Sequence, residues 1–209
     1  MKKKRSELAQ DSETKIRMAA EKVFAEKGLK GARVKDIAEL CGVNPALINY
    51  YFGSKENLYF TVIENFFMRV ERLSLSIMAQ DIAPKEKLYK LIESGIDELA
   101  QQDHISRILM REFVDVSNES ELITKRNLRR IFSSANQLMS PAGANKDEES
   151  QLQTMHFIFS VLGCMTLYFI SGPIIKDIWK KDIFTKKMIE DRKKEVISLI
   201  FEGVKDRFD

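Results

Sequence analysis

The stretch from Val34 to Lys55, with the sequence VKDIAELCGVNPALINYYFGSK, contains the signals that decide the fold. Gly42 is placed to end a first short helix, because glycine adopts the left-handed backbone conformation at little cost. Asn44 is a favourable N-cap for a second helix, and Pro45 suits its first turn, where the missing N–H removes no hydrogen bond. Gly53 then ends this second helix. The stretch therefore predicts a helix-turn-helix.

The second of these helices has an apolar arc and an opposite arc that carries polar and aromatic side chains. Burial of the apolar arc leaves the opposite arc in solvent. A helix of about eight residues that exposes an asparagine and two tyrosines indicates that another molecule binds there. The apolar arc consists of Leu47, Ile48 and Phe52, and the outer arc of Ala46, Asn49 and Tyr50, flanked by Tyr51.

Double-stranded DNA is the partner that this arrangement favours, with the second helix in the major groove. We expect Asn49 and Ala46 to face base edges, since asparagine can form a bidentate pair with adenine. Pro45 and Leu47 are candidates for contacts with thymine methyl groups. The helical arc also allows Leu47 to lie in the core.

Hydroxyl and cationic side chains around this face are predicted to contact phosphates, which fix the position of the protein without reading sequence. Tyr50 and Tyr51 carry suitable hydroxyls, although packing against the helix edge is the alternative for Tyr51. Arg33 and Lys35 supply positive charge at the start of the preceding helix. Lys55 lies in the first turn of the next helix, where a docked phosphate would relieve its unfavourable position on the helix dipole.

Charge is unevenly distributed along the 209 residues. Residues 1–55 contain 12 Lys and Arg against 7 Asp and Glu, whereas the remainder contains 22 against 24. A basic N-terminal quarter on a near-neutral body favours a polyanionic partner for that quarter.

The sequence shows no nucleophile elbow, no phosphate-binding glycine loop and no metal-ligand spacing, so we expect neither an enzyme nor a bound cofactor or metal.

Apolar residues recur at helical spacing through most of the chain, and no long segment alternates as a strand does. With only 4 Pro and 9 Gly, this pattern predicts an all-α protein of about nine helices. The break or kink is expected at Gly172-Pro173, and a loop is expected at residues 141–146. Beyond the quoted stretch, helices are predicted at about 12–28, 54–78, 85–101, 105–116, 120–139, 148–171 and 185–206.

Six short motifs occur in order, at suitable separations, over about residues 14–63. Together they resemble the N-terminal domain of the TetR/AcrR family of transcriptional regulators. The motifs are KIRMAA at 15–20, VFAEKG at 23–28, DIA at 36–38, CGV at 41–43, INYYF at 48–52 and SKENL at 54–58.

The resemblance implies an all-α homodimer that binds a specific, palindromic DNA site and is expected to be a repressor. It implies that the third helix enters the major groove and that the last two long helices form the dimer interface. A small, largely apolar effector would bind in the C-terminal part and shift the fourth helix. On this basis we expect a flexible basic arm at residues 1–11, a three-helix DNA-binding domain at 12–55, and a ligand-sensing and dimerisation domain at 56–209.

Two positions depart from the family's pattern. Family members often have Thr or Ser where this chain has Ala32 and Arg33, so the second helix is expected to lack a capping hydroxyl. An aromatic residue is common at the position of Asn49, so the base preference is expected to differ from that of relatives.

Effector-binding residues are predicted from composition, since 11 of the 13 Phe and seven of the nine Met lie after residue 55. Such side chains also fill ordinary cores. Polar atoms scattered in an apolar wall, however, suit a small-molecule pocket. The candidates are Met110 and Phe113 on the sixth helix and His156, Phe159, Cys164 and Tyr168 on the eighth.

Residues 151–175 contain no charged side chain and approach the length of a membrane span. Scattered polar residues favour a buried helix instead, and no apolar segment follows the basic start as in a signal peptide, so a cytoplasmic protein is expected.

Cys41 and Cys164 are expected to be small buried residues rather than a disulfide. The alternative to a regulator is a helical protein-interaction module, whose binding through residues 45–50 would be indifferent to salt.

Overall fold

The computed structural model describes residues 2–101, 104–114, 118–139 and 147–202, with the backbone alone for residues 2–10 and 118–124. Nine α-helices account for most of these residues, which contain no strand. The prediction of an all-α protein with about nine helices is therefore confirmed. The helices are α1 (Lys2–Gly31), α2 (Val34–Cys41), α3 (Pro45–Phe52), α4 (Lys55–Met78), α5 (Pro84–Gln101), α6 (Ile105–Val114), α7 (Asn118–Met139), α8 (Glu148–Trp179) and α9 (Lys186–Phe201).

α1 begins well before the predicted start near Ser12, because residues 2–11, expected to form a flexible arm, are helical. Lys, Arg, Glu, Ala and Gln favour helix by intrinsic propensity, without an apolar stripe. The helix is interrupted at Gly28, where φ is 67°, and resumes to Gly31. Its predicted inner face is confirmed, with Ile16, Ala19, Ala20, Val23 and Phe24 all buried.

α2 and α3 have the predicted bounds because local chemistry defines their ends. Gly42 takes the left-handed conformation with φ 69° and ψ 33° after α2. The Asn44 side-chain oxygen accepts a hydrogen bond from the Ala46 N–H at 2.8 Å and caps α3. Gly53 follows α3 with φ 75°. The helix-turn-helix predicted from the sequence is therefore present.

The chain divides into two compact units. The first consists of Met1–Met68 and Arg107–Ile123, and the second of Arg69–Ser106 and Thr124–Asp209. The first unit is larger than the expected DNA-binding domain of residues 12–55, because it also contains the first part of α4 and most of α6. The predicted loop at 141–146, and the ends predicted near residue 116 for α6 and residue 206 for α9, lie outside the described residues.

In the second unit, α9 packs on α5 and α8. Gly95 of α5 lies under the Met165 side chain, where a Cβ atom would collide with the end of that chain. Lys193 of α9 pairs with Asp97 of α5 at 2.6 Å and with Glu190 at 2.9 Å, and its side chain is only 7% exposed. A charge so deeply placed is tolerated because it is paired.

α8 continues to Trp179, so the predicted end near Ser171 is wrong. Gly172 is buried, and the Phe184 ring occupies the space that a Cβ atom would need there. Phe184 also stacks on Phe169, with ring centroids 6.0 Å apart. This packing stabilises the helix through Pro173 and offsets the hydrogen bond that proline removes.

The two faces of α8 differ in burial rather than in polarity. Among the described helices, α8 is the one that is long and apolar enough to cross a membrane by length and composition, and 22% of its apolar window is buried. The inner face consists of Thr154, Ile158, Val161, Met165, Phe169 and Gly172, whereas Leu152, Phe159, Leu167, Ile174 and Ile178 are exposed.

Candidate nucleic-acid interface

α3 is anchored from one side and open on the other. Ile48 is completely buried and Phe52 is 9% exposed, which fixes the rotation of the helix about its axis. Leu47 is half-buried, so it lies at the edge of the core as the helical arc allows. The residues predicted to face base edges and thymine methyls, Pro45, Ala46 and Asn49, are all exposed.

Two tyrosines stand at the C-terminal end of this open face. Tyr50 is 80% exposed, the highest exposed fraction among the large hydrophobic side chains of the described residues. Tyr51 is half-buried and meets Tyr50 edge-on, with ring centroids 5.3 Å apart. Tyr51 therefore supports the Tyr50 ring, and both hydroxyls are available at the rim of the face.

The start of α2 is capped without a hydroxyl. The carboxylate of Asp36 accepts a hydrogen bond from the Arg33 backbone N–H at 3.3 Å and forms an ion pair with Lys27 of α1 at 2.8 Å. The Lys27 hydrogen bond is the main cause that lowers the pKa of Asp36, with a smaller contribution from the Arg33 N–H. Asp36 thus partly replaces the Thr or Ser cap that this chain lacks.

The cations predicted to contact phosphates differ in their engagement. Arg33 is exposed, and Lys35 forms only a loose, solvent-exposed pair with Glu39 at 3.7 Å. Such a pair contributes little, so Lys35 can turn to another anion. Lys55 is half-buried and donates a hydrogen bond to the Ala32 carbonyl at 3.1 Å. Lys55 therefore joins the start of α4 to the α1–α2 junction.

The six predicted effector-binding residues do not form one buried cluster among the described residues, since none of them is buried. Met110 and Phe113 belong to the first unit and the other four to the second. Phe159 packs on Phe132 with ring centroids 5.9 Å apart, and Tyr168 donates a hydrogen bond to the Ile183 carbonyl at 2.6 Å. Of the other two residues on α8, His156 is exposed. The backbone carbonyl of Cys164 accepts a hydrogen bond from Arg192.

Two residues of α6 that the sequence did not assign to the first unit hold α1 and α4 there. Arg111 donates to the carbonyls of Ala25 and Glu26 at the end of α1, and Glu112 accepts from the Tyr59 hydroxyl of α4. Their sequence gave no signal for this role, because the contacts with α1 span more than 80 positions. Cys41 and Cys164 are free thiols, and no group of metal-ligating side chains occurs in the described part of the chain.

Two segments of the chain match known protein families. Residues 16–62 match the family model described as bacterial regulatory proteins, tetR family, and residues 84–204 match that of the C-terminal domain of the HTH-type transcriptional dual regulator CecR. The chain belongs to the TetR family. It is accordingly a DNA-binding transcriptional regulator, in a family whose members bind DNA and small-molecule effectors and are typically dimers.

Individual relatives of this TetR-family chain are distant. The transcriptional repressor NicS of Pseudomonas putida is 30% identical over 108 residues, which are 52% of this chain and 51% of NicS. The regulator RutR of Escherichia coli is 23% identical over 208 residues, 98% of this chain and 95% of RutR. The structure of FadR from Bacillus subtilis in complex with stearoyl-CoA covers 91% of this chain and 98% of FadR, with TM-score 0.67 and 20% identity. This last likeness shows the shared fold.

Proposed function

We propose that the protein represses transcription as a homodimer that reads a palindromic operator with the outer face of α3. The observation that carries the proposal is the exposure of Asn49 and Tyr50 on a helix that Ile48 and Phe52 anchor from behind. Asn49 reads a base edge, and Tyr50, Arg33 and the neighbouring cations hold the phosphates. A two-fold dimer presents two such helices, so the operator contains two inverted half-sites.

Selection of bound sites from a random duplex library, with the full-length ligand-free protein at low salt, tests this proposal. The recovered sequences should contain inverted half-sites about 10 base pairs apart, centre to centre, or a multiple of that spacing. Binding should fall steeply as salt increases, because phosphate contacts release counterions. Absence of any enriched duplex, or binding to protein through residues 45–50 that salt does not change, would favour the protein-interaction module instead.

The dimer interface is proposed on α8 and α9. The exposed apolar face of α8 is a stripe at helical spacing, which the described residues leave largely in solvent apart from the contact of Phe159 with Phe132. At Gly163, in the middle of this stripe, an added Cβ atom would have no atom of the described residues within 4 Å, apart from its chain neighbours and the backbone of its own helix. A partner helix can therefore approach the backbone closely there. The stripe contains Leu152, His156, Phe159, Gly163, Leu167, Ile174 and Ile178.

Effector binding is proposed in the second unit. Ser106 is 1% and Asn127 is 2% exposed, and Ser106 Oγ and Asn127 Nδ2 have no hydrogen-bond partner in the described structure. Buried polar atoms are rarely left unpaired, and a ligand with a polar group on an apolar body would satisfy them.

Stearoyl-CoA, the ligand in the FadR structure, is a suitable first probe for this effector class. Titration into the complex with the selected duplex should release DNA if the effector is a long acyl compound. A complex that resists both stearoyl-CoA and shorter acyl-CoA compounds would contradict this class.

A further inference from the structure

The turn of α1 that precedes the interruption at Gly28 is contacted by a side chain from α6. Arg111 Nη2 donates hydrogen bonds to the carbonyl oxygens of Glu26 at 3.1 Å and Ala25 at 3.3 Å. These carbonyls lie just before the interruption at Gly28, where the helix loses its regular geometry. Carbonyls at a helix C-terminus lack intrahelical partners and attract cations. Arg111 therefore brings a cationic donor to two carbonyls beside the interruption.

Gly28 fits this arrangement in two ways. Its φ of 67° belongs to the left-handed region that side chains rarely adopt. A Cβ atom at Gly28 would also collide with Nη1 of Arg111, which lies against the interruption. The glycine and the arginine thus occupy one site, and a change at either residue disturbs the other.

The next residue of α6 holds a second helix of the same unit. Glu112 Oε1 accepts a hydrogen bond from the Tyr59 hydroxyl of α4 at 2.5 Å. Tyr59 is 2% exposed and meets Phe24 of α1 edge-on, with ring centroids 4.9 Å apart. Arg111 and Glu112 therefore contact α1 and α4, respectively.

The α1–α2 junction follows the turn that Arg111 contacts, after the short continuation of α1 to Gly31. Lys27 pairs with Asp36 of α2, and Lys55 of α4 donates to the Ala32 carbonyl. Asp36 in turn caps the Arg33 N–H at the start of α2. The direction of α2, and with it that of α3, thus depends on the position of the last turn of α1.

We infer that Arg111 is a positioning residue for operator binding: it fixes the α1–α2 junction from outside the helix-turn-helix and does not itself contact DNA. This inference rests on the proposed reading of an operator by α3. Glu112 has the corresponding effect on α4 through Tyr59. The DNA affinity of the folded protein then depends on α6.

The test measures affinity for a duplex that the wild-type protein selects from a random library. Arg111→Met should weaken binding about tenfold, roughly the effect of losing one hydrogen bond to a charged group, and leave the slope of affinity against salt unchanged. The control is Arg107→Met, which removes the same charge one turn earlier on α6 and should change affinity less than about twofold. Arg111→Lys, which retains a donor, should recover part of the loss.

The measurement is made well below the unfolding temperature, with helix content checked by circular dichroism. A residue that only stabilises the fold would lower the unfolding temperature and leave the affinity of the folded protein at the wild-type value. That result would overturn the inference. Wild-type protein that binds no duplex would contradict the operator proposal instead, so the two failures are distinguishable.

Gly28→Ala keeps the inference testable if Arg111→Met does not fold. The added Cβ displaces Arg111, so affinity should fall as it does in Arg111→Met. Gly31→Ala is the control for an added methyl group alone, because Gly31 is not among the positive-φ glycines and its Cβ would make only an ordinary 3.5 Å contact with Lys27. In the Arg111→Lys background Gly28→Ala should cost less than in wild type, since the colliding guanidinium is gone. Equal costs in both backgrounds would contradict a shared site.

Discussion

The ammonium group of Lys55, in the first turn of α4, donates a hydrogen bond to the carbonyl oxygen of Ala32, 3.1 Å away. Ala32 precedes Arg33, the N-cap residue of α2. A lysine ammonium has three donors, so this contact leaves two for another acceptor. The contact holds the side chain beside the helix-turn-helix rather than free in solvent. Lys55 thus joins two helices, and its remaining donors belong to the phosphate contact proposed at the N-terminus of α4.

Lys55→Ala should weaken binding to all duplex sequences to about the same degree. The slope of log affinity against log salt should fall by about one, because one phosphate contact is lost. Lys35→Ala is a useful comparison, since Lys35 is exposed and pairs only loosely with Glu39. If Lys55→Ala lowers affinity at an unchanged slope, its role is the contact with Ala32 alone.

Asn49→Ala should relax the preference for one base pair in each half-site. A bidentate contact between asparagine and adenine contributes about 1–3 kcal/mol of discrimination, and alanine cannot replace it. Repeating the site selection with the variant measures this change position by position. An unchanged selected site would show that Asn49 does not read a base.

Tyr50→Phe is the matched variant on the same face, because it removes a hydroxyl and retains the exposed ring. Phosphate contacts carry no sequence information. We therefore expect Tyr50→Phe to lower affinity for every sequence and to leave the selected site as it is. A changed base preference would assign Tyr50 to base reading.

The helix-turn-helix was predictable because its boundaries depend on neighbours in sequence. Gly42 and Gly53 have positive φ, and Asn44 caps α3 through the Ala46 N–H two residues later. These interactions involve residues that stand next to one another in the sequence. The burial of Ile48 also followed from helical spacing alone.

Features that depend on distant residues were not predictable in the same way. Pro173 indicated a break in α8, but Phe184 packs over Gly172 and the helix continues. The Arg111 contact with α1 joins positions far apart in the sequence. The predicted end of the first helix at residue 28 coincides with the interruption at Gly28, but no neighbouring residue indicates that Arg111 lies beside it. The effector candidates were chosen by residue type, which does not distinguish the inner face of α8 from its exposed face.

Leu167→Glu should convert the proposed dimer to a monomer. Leu167 is 62% exposed on the apolar stripe of α8, and a carboxylate there would have to be desolvated in a dimer interface. Leu75→Glu is a close control, because Leu75 is also 62% exposed in the second unit but lies on α4. Sedimentation at micromolar concentration should show a dimer for the control and a monomer for Leu167→Glu. If both variants are dimers, the interface does not include Leu167.

Asp97→Asn should destabilise the protein by about 1–3 kcal/mol, because it removes a charged partner from the buried Lys193 ammonium. The matched control is Asp177→Asn. The Lys180–Asp177 pair has the same 2.6 Å separation as Lys193–Asp97, but its side chains are 77% and 81% exposed. Such a pair contributes less than about 1 kcal/mol. Urea unfolding at one fixed protein concentration measures the free energy of unfolding of both variants. Equal losses in the two variants would show that burial of Lys193 does not strengthen the ion pair.

The contribution of this ion-pair cluster should depend on pH at both extremes. The hydrogen bond from Lys193 lowers the pKa of Glu190 below its ordinary 4.5. Burial lowers the pKa of Lys193, but hydrogen bonds to Asp97 and Glu190 outweigh burial and raise it above 10.5.

A lowered carboxyl pKa stabilises the fold above the unfolded value, and this contribution is lost as pH falls through the folded pKa. A raised lysine pKa stabilises it below the unfolded value, and this contribution is lost as pH rises through the folded pKa. The stability difference between wild type and Lys193→Met should therefore be constant between about pH 5 and 10 and decrease on either side. A difference that grows toward acid pH would show that the cluster is not ionised as described.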